Sequence, residues 1–168
     1  MVFTPSIVVV IIFAFIILTS AVKFCREYER VIVFRLGRLI LPPKGPGVFL
    51  IIPVVDRMLK ISLRTETYDM SSHEFSTMDR GAVRLDASVS FRVIDPARAV
   101  REVEDYLDAM KELAKRSFAD ALRGSRVSQI VTSRNSLINR VRTELKQGSK
   151  PWGIEIVNVQ IKGLKSSI

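Results

Sequence analysis

The sequence predicts an α+β domain, an antiparallel sheet with packed helices, after an N-terminal transmembrane helix. Three observations lead to this fold class. No charged residue precedes Lys23, residues 83–93 alternate between apolar and polar, and two segments with helical periodicity separate that strand from a final one. Alternation of this kind means that one face of the strand is buried and the other solvated, as in an antiparallel sheet.

The apolar run at residues 6–24 is predicted to anchor the chain in a membrane. At about 1.5 Å per helical residue it covers roughly 28 Å, close to the hydrocarbon thickness of a bilayer. A cleaved secretory signal is the competing interpretation, but no basic residue opens the chain and residues 19–21 form only a weak cleavage site. The side chains expected in the hydrocarbon are Ile7, Val10, Phe13, Ile16 and Leu18.

The charges around this run predict its orientation. Basic residues follow it closely and none precedes it, so the main domain is expected on the cytoplasmic side. No proline or glycine interrupts the run, which favours a straight single-pass span over a hairpin; in both cases the domain is cytoplasmic. The residues expected to contact anionic lipid head groups are Lys23, Arg26, Arg30 and Lys44.

The composition narrows the possible partners. The chain has 26 Lys and Arg against 17 Asp and Glu, a net charge of +9. Beside an anchor this balance favours attraction to anionic lipids, whereas nucleic acid is not expected because acids are interspersed among the bases. The single cysteine, Cys25, excludes an intrachain disulfide. Its position just after the anchor makes it a possible S-acylation site.

The first part of the domain combines a strand, a break and an apolar patch. Residues 30–36 favour a strand that ends at Gly37, and the prolines and glycines of residues 42–47 exclude regular structure. The apolar patch at residues 48–55 is too short to span a membrane. It is either a buried strand or a segment at the membrane interface, where its contact residues would be Phe49, Leu50, Ile51 and Pro53.

The second part alternates strands and helices. Residues 58–64 and 66–70 favour strands, and a turn at residues 78–81 precedes the alternating strand. A helix is predicted from Asp95-Pro96 to Gly124, and a second from Ser133 until Gly148 and Pro151 stop it. The final strand, residues 154–161, shifts its apolar positions from one face to the other, which predicts a bulge.

No pattern in the chain indicates catalysis or a bound cofactor. The single histidine, His73, is expected in an irregular stretch between strands, and no serine has a nucleophile-elbow pattern. One histidine and one cysteine far apart make no metal-ligand cluster. We therefore expect no catalytic, cofactor or metal site, and a protein that is not an enzyme.

Several motifs in a fixed order resemble the stomatin family. They are Arg26-Glu27-Tyr28-Glu29-Arg30-Val31-Ile32-Val33-Phe34-Arg35-Leu36-Gly37 after the anchor, then Lys44-Gly45-Pro46-Gly47, Pro53-Val54-Val55-Asp56, Leu63-Arg64-Thr65, Asp95-Pro96 and Pro151-Trp152-Gly153-Ile154. Together they extend over nearly the whole chain. The resemblance implies a stomatin/prohibitin/flotillin-type (SPFH/Band 7, slipin-like) domain.

The resemblance also implies a function. It indicates a membrane-anchored scaffold that oligomerises, organises lipid microdomains and regulates neighbouring membrane proteins such as channels or membrane proteases. The implied partners are further copies of the chain and a membrane channel or membrane protease, in addition to the anionic lipid head groups expected from the charge. Residues 26–31 also fit a proposed sterol-binding pattern, but a capped strand start with Tyr28 at the membrane interface is the preferred interpretation. A membrane-associated hydrolase or a protease-associated subunit is the alternative.

The expected organisation has four parts. Residues 1–24 form the anchor, 25–57 a juxtamembrane segment with the apolar patch, and 58–164 the SPFH/Band 7-like domain. Relatives continue into a long charged helix that drives assembly, so residues 165–168 are expected to be a short tail without that coiled-coil extension.

Overall fold

A computed structural model describes residues 9, 12, 13, 15, 16, 19–77, 82–125, 130 and 133–167. The chain divides into two compact units, residues 1–63 (unit 1) and 64–168 (unit 2). The turn predicted at residues 78–81 lies outside the described residues, as do Ile7, Val10 and Leu18 of the predicted anchor.

The described residues of unit 1 form five short strands. They are β1 (Val22–Cys25), β2 (Glu29–Arg35), β3 (Arg38–Lys44), β4 (Gly47–Leu50) and β5 (Asp56–Ser62). Strands β1 and β4 form an antiparallel pair, and β3, β2 and β5 form a three-stranded antiparallel sheet in that order. Ahead of them, the described positions from Val9 to Ala21 are helical.

The helix predicted through Phe24 ends sooner than expected. Val22 to Phe24 belong to β1, where Lys23 pairs with Phe49 and Phe24 with Val48. That part of the prediction was wrong because β-branched and aromatic residues suit a strand wherever a partner strand is available. The apolar character of the run alone could not reveal such a partner.

Strand β3 corrects a second prediction, since Pro42 and Pro43 lie inside a strand rather than an irregular loop. A proline cannot donate a hydrogen bond to a neighbouring strand, and it is tolerated at an edge or in a bulge. Here both conditions hold: β3 is an edge strand, and its register with β2 shifts between Val31 and Val33. The Leu41–Pro42 peptide bond is cis.

The predicted end of β2 at Gly37 is confirmed. Leu36 and Gly37 both have positive φ, 50° and 80°, and join β2 to β3 by a two-residue turn in which Arg35 pairs with Arg38. Turns of this kind match the twist of the strands that they connect. Below the hairpin, a small core contains Cys25, Val31 and Val33, with three partly buried apolar side chains packed against it: Ile40, Phe49 and Met58.

The described part of unit 2 contains a three-stranded sheet, three helices and a further helical position at Ile130. Its elements are β6 (Glu66–Ser76), β7 (Ala82–Val93), α1 (Pro96–Arg101), α2 (Tyr106–Arg123), α3 (Arg134–Ser149) and β8 (Ile154–Ser167), and the antiparallel sheet has the order β6-β7-β8. The alternation predicted for the central strand is confirmed, because all six of its apolar positions are buried: Val83, Leu85, Ala87, Val89, Phe91 and Val93. This face of β7 is the centre of the core of unit 2.

The helix predicted from Asp95 to Gly124 is two helices. Asp95 caps α1, with Pro96 in the first turn as predicted, but the helix ends at Arg101. Asp105 then caps α2, because its Oδ1 accepts hydrogen bonds from the backbone N–H groups of Leu107 and Asp108. A second capping aspartate offers the backbone an alternative to continuing one helix.

Helices α2 and α3 pack antiparallel. Gly124, at the end of α2, lies beside Arg140 in the first half of α3, and Leu113 in α2 lies against Gly148 near the end of α3. Ser133 takes the N-cap position of α3, as expected, although its side chain makes no capping hydrogen bond. The helix ends at Ser149, between Gly148 and Pro151, the two residues predicted to stop it, and the missing side chain at Gly148 gives Leu113 room to approach.

The bulge predicted in the final strand is confirmed at Val157. Asn158 pairs with Ser90 and Ile156 with Phe91, so Val157 is the extra residue between them. A second register shift leaves Lys162 between Ile161 and Gly163, and the strand continues beyond the predicted residues to Ser167. The apolar residues on both sides of the first bulge therefore reach the same buried face.

The placement of His73 in an irregular stretch was also wrong. Strand β6 continues through it to Ser76, and His73 pairs with Leu85 after a register shift that begins at Met70. The His73 side chain is half-buried, and its ring lies 6.3 Å from that of Phe75. The irregular register explains why the sequence pattern did not identify this part of the strand.

Gly153 is expected to be essential for the junction between β8 and α1. It has φ +68°, and its carbonyl accepts hydrogen bonds from the N–H groups of Ile94 and Asp95. A Cβ atom at Gly153 would lie 2.7 Å from the Cβ of Asp95 and 2.8 Å from its carbonyl oxygen. Gly153→Ala should therefore lower the free energy of unfolding by about 2 kcal/mol or more, measured by chemical denaturation followed by Trp152 fluorescence.

Gly45→Ala is the matched control for this prediction. A Cβ atom at Gly45 meets no atom within 4 Å, and its φ does not lie in the left-handed region. Equal stabilities for the two variants would contradict the proposed role of Gly153.

Candidate functional site

Unit 1 exposes four apolar side chains along one short segment. The exposed fractions are 64% for Val48, 72% for Leu50, 48% for Ile52 and 103% for Val54. We call these four residues the apolar surface. Exposed apolar residues that are contiguous, rather than scattered singly, commonly mark a site of interaction with a protein or a membrane.

The apolar surface arises from the alternation of a strand. In β4 the side chains of Val48 and Leu50 point outward, whereas Phe49 packs against the core around Cys25. Ile51 continues this alternation: it is buried, and its N–H donates to the carbonyl of Ala21 at 2.9 Å. The patch is therefore divided into buried and exposed residues, and contact of the exposed ones with a membrane stays a prediction.

Asp56 determines the shape of the loop that follows. Its Oδ2 accepts a hydrogen bond from the N–H of Ile52 at 2.8 Å, and the carbonyl of Ile52 accepts from Val55 and Asp56. Arg35 binds the same carboxylate with two hydrogen bonds, at 2.7 and 3.0 Å. The side chain of Asp56 is only 1% exposed. The hydrogen bonds from Arg35, then that from Ile52, lower the pKa of Asp56 to about 2.

The loop holds Val54 in an unusual conformation. Val54 has φ 76°, and a positive φ is rare for a β-branched residue. It costs roughly 1–2 kcal/mol. The backbone N–H and the carboxylate of Asp56 both hydrogen-bond to Ile52, and these bonds keep the turn around Val54 closed. The Val54 side chain therefore projects fully into solvent. Strained residues held by their surroundings are frequent at functional sites.

The basic residues predicted to contact lipid head groups all lie in unit 1. Arg26 and Lys44 are exposed, and Lys23 and Arg30 are half-buried. The Nη1 of Arg30 donates to the carbonyls of Glu27 and Glu29, which fixes its side chain. Residues 1–63 contain eight Lys and Arg against three Asp and Glu, so the unit that carries the apolar surface is also strongly cationic.

Cys25 lies in the core of unit 1. Its side chain is 7% exposed, and its Sγ lies 3.3 Å from the carbonyl oxygen of Glu29. Burial, followed by the nearby charge of Glu29, raises the pKa of the thiol. S-acylation of Cys25 stays a prediction, and it requires the thiol to leave this position.

The predicted anchor is only partly described. Phe13 and Ile16 are 65% and 54% exposed. Across the residues that the structure describes, no helix has both the length and the apolar character needed to span a membrane.

The structure separates the residues predicted for the interfacial patch. Leu50 lies on the surface, Ile51 is buried, and Phe49 and Pro53 are half-buried. Sequence reasoning did not single out Val48, Ile52 and Val54, which the structure places beside Leu50 in the exposed set. Their period of two was the available signal, but it is hidden where every residue of the segment is apolar.

Comparison with known proteins identifies the family. The family model described as "SPFH domain / Band 7 family" matches residues 23–166. The chain belongs to this family. The match begins in β1 and ends in β8, so it includes the strands that carry the apolar surface, and the resemblance to the stomatin family is confirmed.

Individual relatives are similar over almost all of this chain. An uncharacterized protein of Archaeoglobus fulgidus is 39% identical over 158 residues, which are 94% of the chain and 61% of that protein. A stomatin homolog of Pyrococcus horikoshii is 33% identical over 94% of the chain and 59% of its own length. Mouse stomatin is 34% identical over 91% and 56%. The chain thus spans less than two thirds of the length of these relatives.

The carboxylate of Asp56 should make unit 1 sensitive to acid. Because its pKa in the folded protein is about 2, below the ordinary 3.8, the ionised form stabilises the fold. This contribution to the free energy of unfolding is complete above pH 3.8 and is lost as the pH falls towards 2. Asp56→Asn should therefore lower the melting temperature at neutral pH and reduce its fall on acidification, measured by circular dichroism.

Glu27→Gln provides the control, because Glu27 is an exposed carboxylate of the same unit. An Asp56→Asn protein with the wild-type melting temperature and acid profile would show that the loop does not depend on this carboxylate.

Proposed function

We propose that this chain is a membrane-anchored scaffold, not an enzyme, and that unit 1 lies against the cytoplasmic face of the bilayer. The observation that carries the proposal is the apolar surface of Val48, Leu50, Ile52 and Val54, displayed by a unit with a strong excess of basic residues. In this role the protein self-associates, organises lipid microdomains and regulates neighbouring membrane proteins such as channels or membrane proteases.

The energetics of the apolar surface support a membrane as its partner. Full burial of one Val, Leu or Ile side chain contributes about 1.5–3 kcal/mol. Each basic residue near an anionic membrane contributes about 1 kcal/mol. The apolar surface and the surrounding cations together are sufficient for interfacial binding of several kcal/mol, without a specific protein partner.

The N-terminal segment supports stable attachment. Five of its apolar side chains are more than half exposed in the described part of the segment: Val9, Ile12, Phe13, Phe15 and Ile16. In the proposed function these residues belong to a single-pass anchor, and the basic residues that follow it keep both units on the cytoplasmic side. The anchor then holds the apolar surface close to the membrane, where weak interfacial contacts become effective.

The anchor can be tested by deletion. Removal of residues 2–22 should release most of the protein from alkali-washed membranes, because the remaining contacts are interfacial and salt-sensitive. The measurement is the bound fraction after flotation of vesicles that contain anionic lipid, in low and high salt. Binding of the deleted protein that resists both alkali and high salt would contradict the anchor.

The position of the apolar surface can be tested in the full chain. With Cys25→Ser as the background, a polarity-sensitive fluorophore attached through Leu50→Cys should report an apolar environment and be quenched by brominated lipids. The same label attached through Glu112→Cys in α2 is the control, since that side chain is 73% exposed and carries no expected lipid contact. Equal, water-like emission from both positions would show that unit 1 does not contact the bilayer.

A further inference from the structure

Unit 2 contains a groove that is not part of the lipid-facing site. It has a volume of about 280 Å³ and lies between the end of α3, the end of β7 and the start of β8. Ile94, on its rim, is 61% exposed, whereas Ile154 and Ile156 on its floor are buried. The groove therefore presents an apolar floor and one unpartnered apolar side chain at its edge.

The groove is bordered by two cations. Lys146 lies in the last turn of α3 and Lys150 directly follows the helix, one turn further on, and both are exposed. Neither forms an ion pair with any acid among the residues described here. The acid in the groove wall, Glu155, is already bound by Arg92 at 2.7 Å. The two lysines thus leave a positive rim for an occupant that combines negative charge with an apolar side chain.

The same unit displays a segment with that chemistry. Residues 102–108 contain four acids and no basic residue: Glu102, Glu104, Asp105 and Asp108. Val103 lies half-buried between the first two of them, and a shallow depression beside it is lined by Glu104, Asp105 and Asp108. Glu102 is paired with Arg101 at 3.2 Å, Asp108 with Lys111 at 2.6 Å, and Asp105 caps α2, whereas Glu104 has no ion-pair partner in the described part of the chain. The segment extends from the end of α1 into the first turn of α2, so both of its ends are held by capped helices.

The two surfaces lie at the same end of the helix pair. Leu113 in α2 contacts Gly148 in α3, and the antiparallel packing brings the start of α2 to the end of α3. The acidic segment ends in the first turn of α2, and the groove lies at the end of α3. Complementary surfaces at one end of a subunit can pair reciprocally about a twofold axis, each segment entering the groove of the other copy.

We propose that the groove binds residues 102–108 of a second copy of this chain, with Val103 against Ile94 and the acids facing Lys146 and Lys150. This inference rests on the self-association in the proposed function and names the surfaces that carry it. The contact is ionic at its rim and apolar at its centre. It should therefore weaken as salt is raised, and disappear when Ile94 is replaced by a polar residue.

Charge reversal in the full chain tests the contact. Lys146→Glu/Lys150→Glu and Glu104→Lys/Asp108→Lys should each weaken self-association about tenfold or more, because each double variant sets like charges against each other in both halves of the contact. A mixture of the two variants should restore association, since every reversed surface then meets its opposite. The measurement is co-capture of two differently tagged copies reconstituted in uncharged vesicles.

Arg116→Glu/Arg123→Glu is the matched control. It makes the same change of charge on exposed residues near the other end of the helix pair and should leave association at the wild-type level. Circular dichroism establishes that each variant is folded. Restoration by mixing adds an internal check, because two misfolded variants cannot rescue each other.

The outcomes separate this inference from the proposed function. If the wild-type chain does not self-associate in vesicles, both the proposed self-association and the proposed contact are contradicted. Wild-type association that neither reversal weakens overturns the contact alone, and so does weakening that mixing does not restore. The depth of the fluorophore at position 50 is measured independently. Its result tests the lipid-facing role of unit 1 whatever the outcome for the contact between copies.

Discussion

The small size of unit 1 is the constraint on which its structure depends. A sheet of three short strands and a separate strand pair can enclose only a few side chains, since small units bury a smaller fraction of their surface. Cys25, Val31 and Val33 occupy that core, and Phe49 closes one side of it. Ile32, Ile51 and Ile61 are buried as well, but other apolar residues stay on the surface, on β4 and the following loop. In the proposed scaffold, the bilayer covers the apolar side chains that the protein itself cannot bury.

This surface depends on a buried charge. Asp56 is withdrawn from solvent and bound by Arg35, and its second oxygen holds the backbone of Ile52. The polar contacts lie beneath the loop while the apolar side chains point outward, which is the reverse of the usual arrangement in a soluble domain. The strained backbone of Val54 fits the same interpretation, because a β-branched residue keeps a positive φ only where its surroundings hold it.

Local patterns in the sequence predicted much of unit 2. The alternation of β7, the cap at Asp95-Pro96 and the bulge at Val157 each depend on a few neighbouring residues, and each is present. The wrong predictions concern features that depend on residues distant in the sequence. Pro42 lies in a strand because β3 is at a sheet edge, and Phe24 lies in a strand because β4 pairs with it. For the candidate site, the sequence located the segment but not its exposed residues, since alternation is invisible when both faces are apolar.

The two bulges of β8 have a consequence for solubility at high local concentration. This strand forms one edge of its sheet, and a long regular edge is a template on which a strand from another molecule can add. Val157 and Lys162 each interrupt the pairing with β7, increase the local twist and divide the fourteen residues into short stretches. The charge of Lys162, bound to Asp69 at 2.6 Å, further opposes the docking of an incoming strand. In the proposed scaffold, copies crowded on one membrane can therefore meet repeatedly without joining into an extended, aggregated sheet.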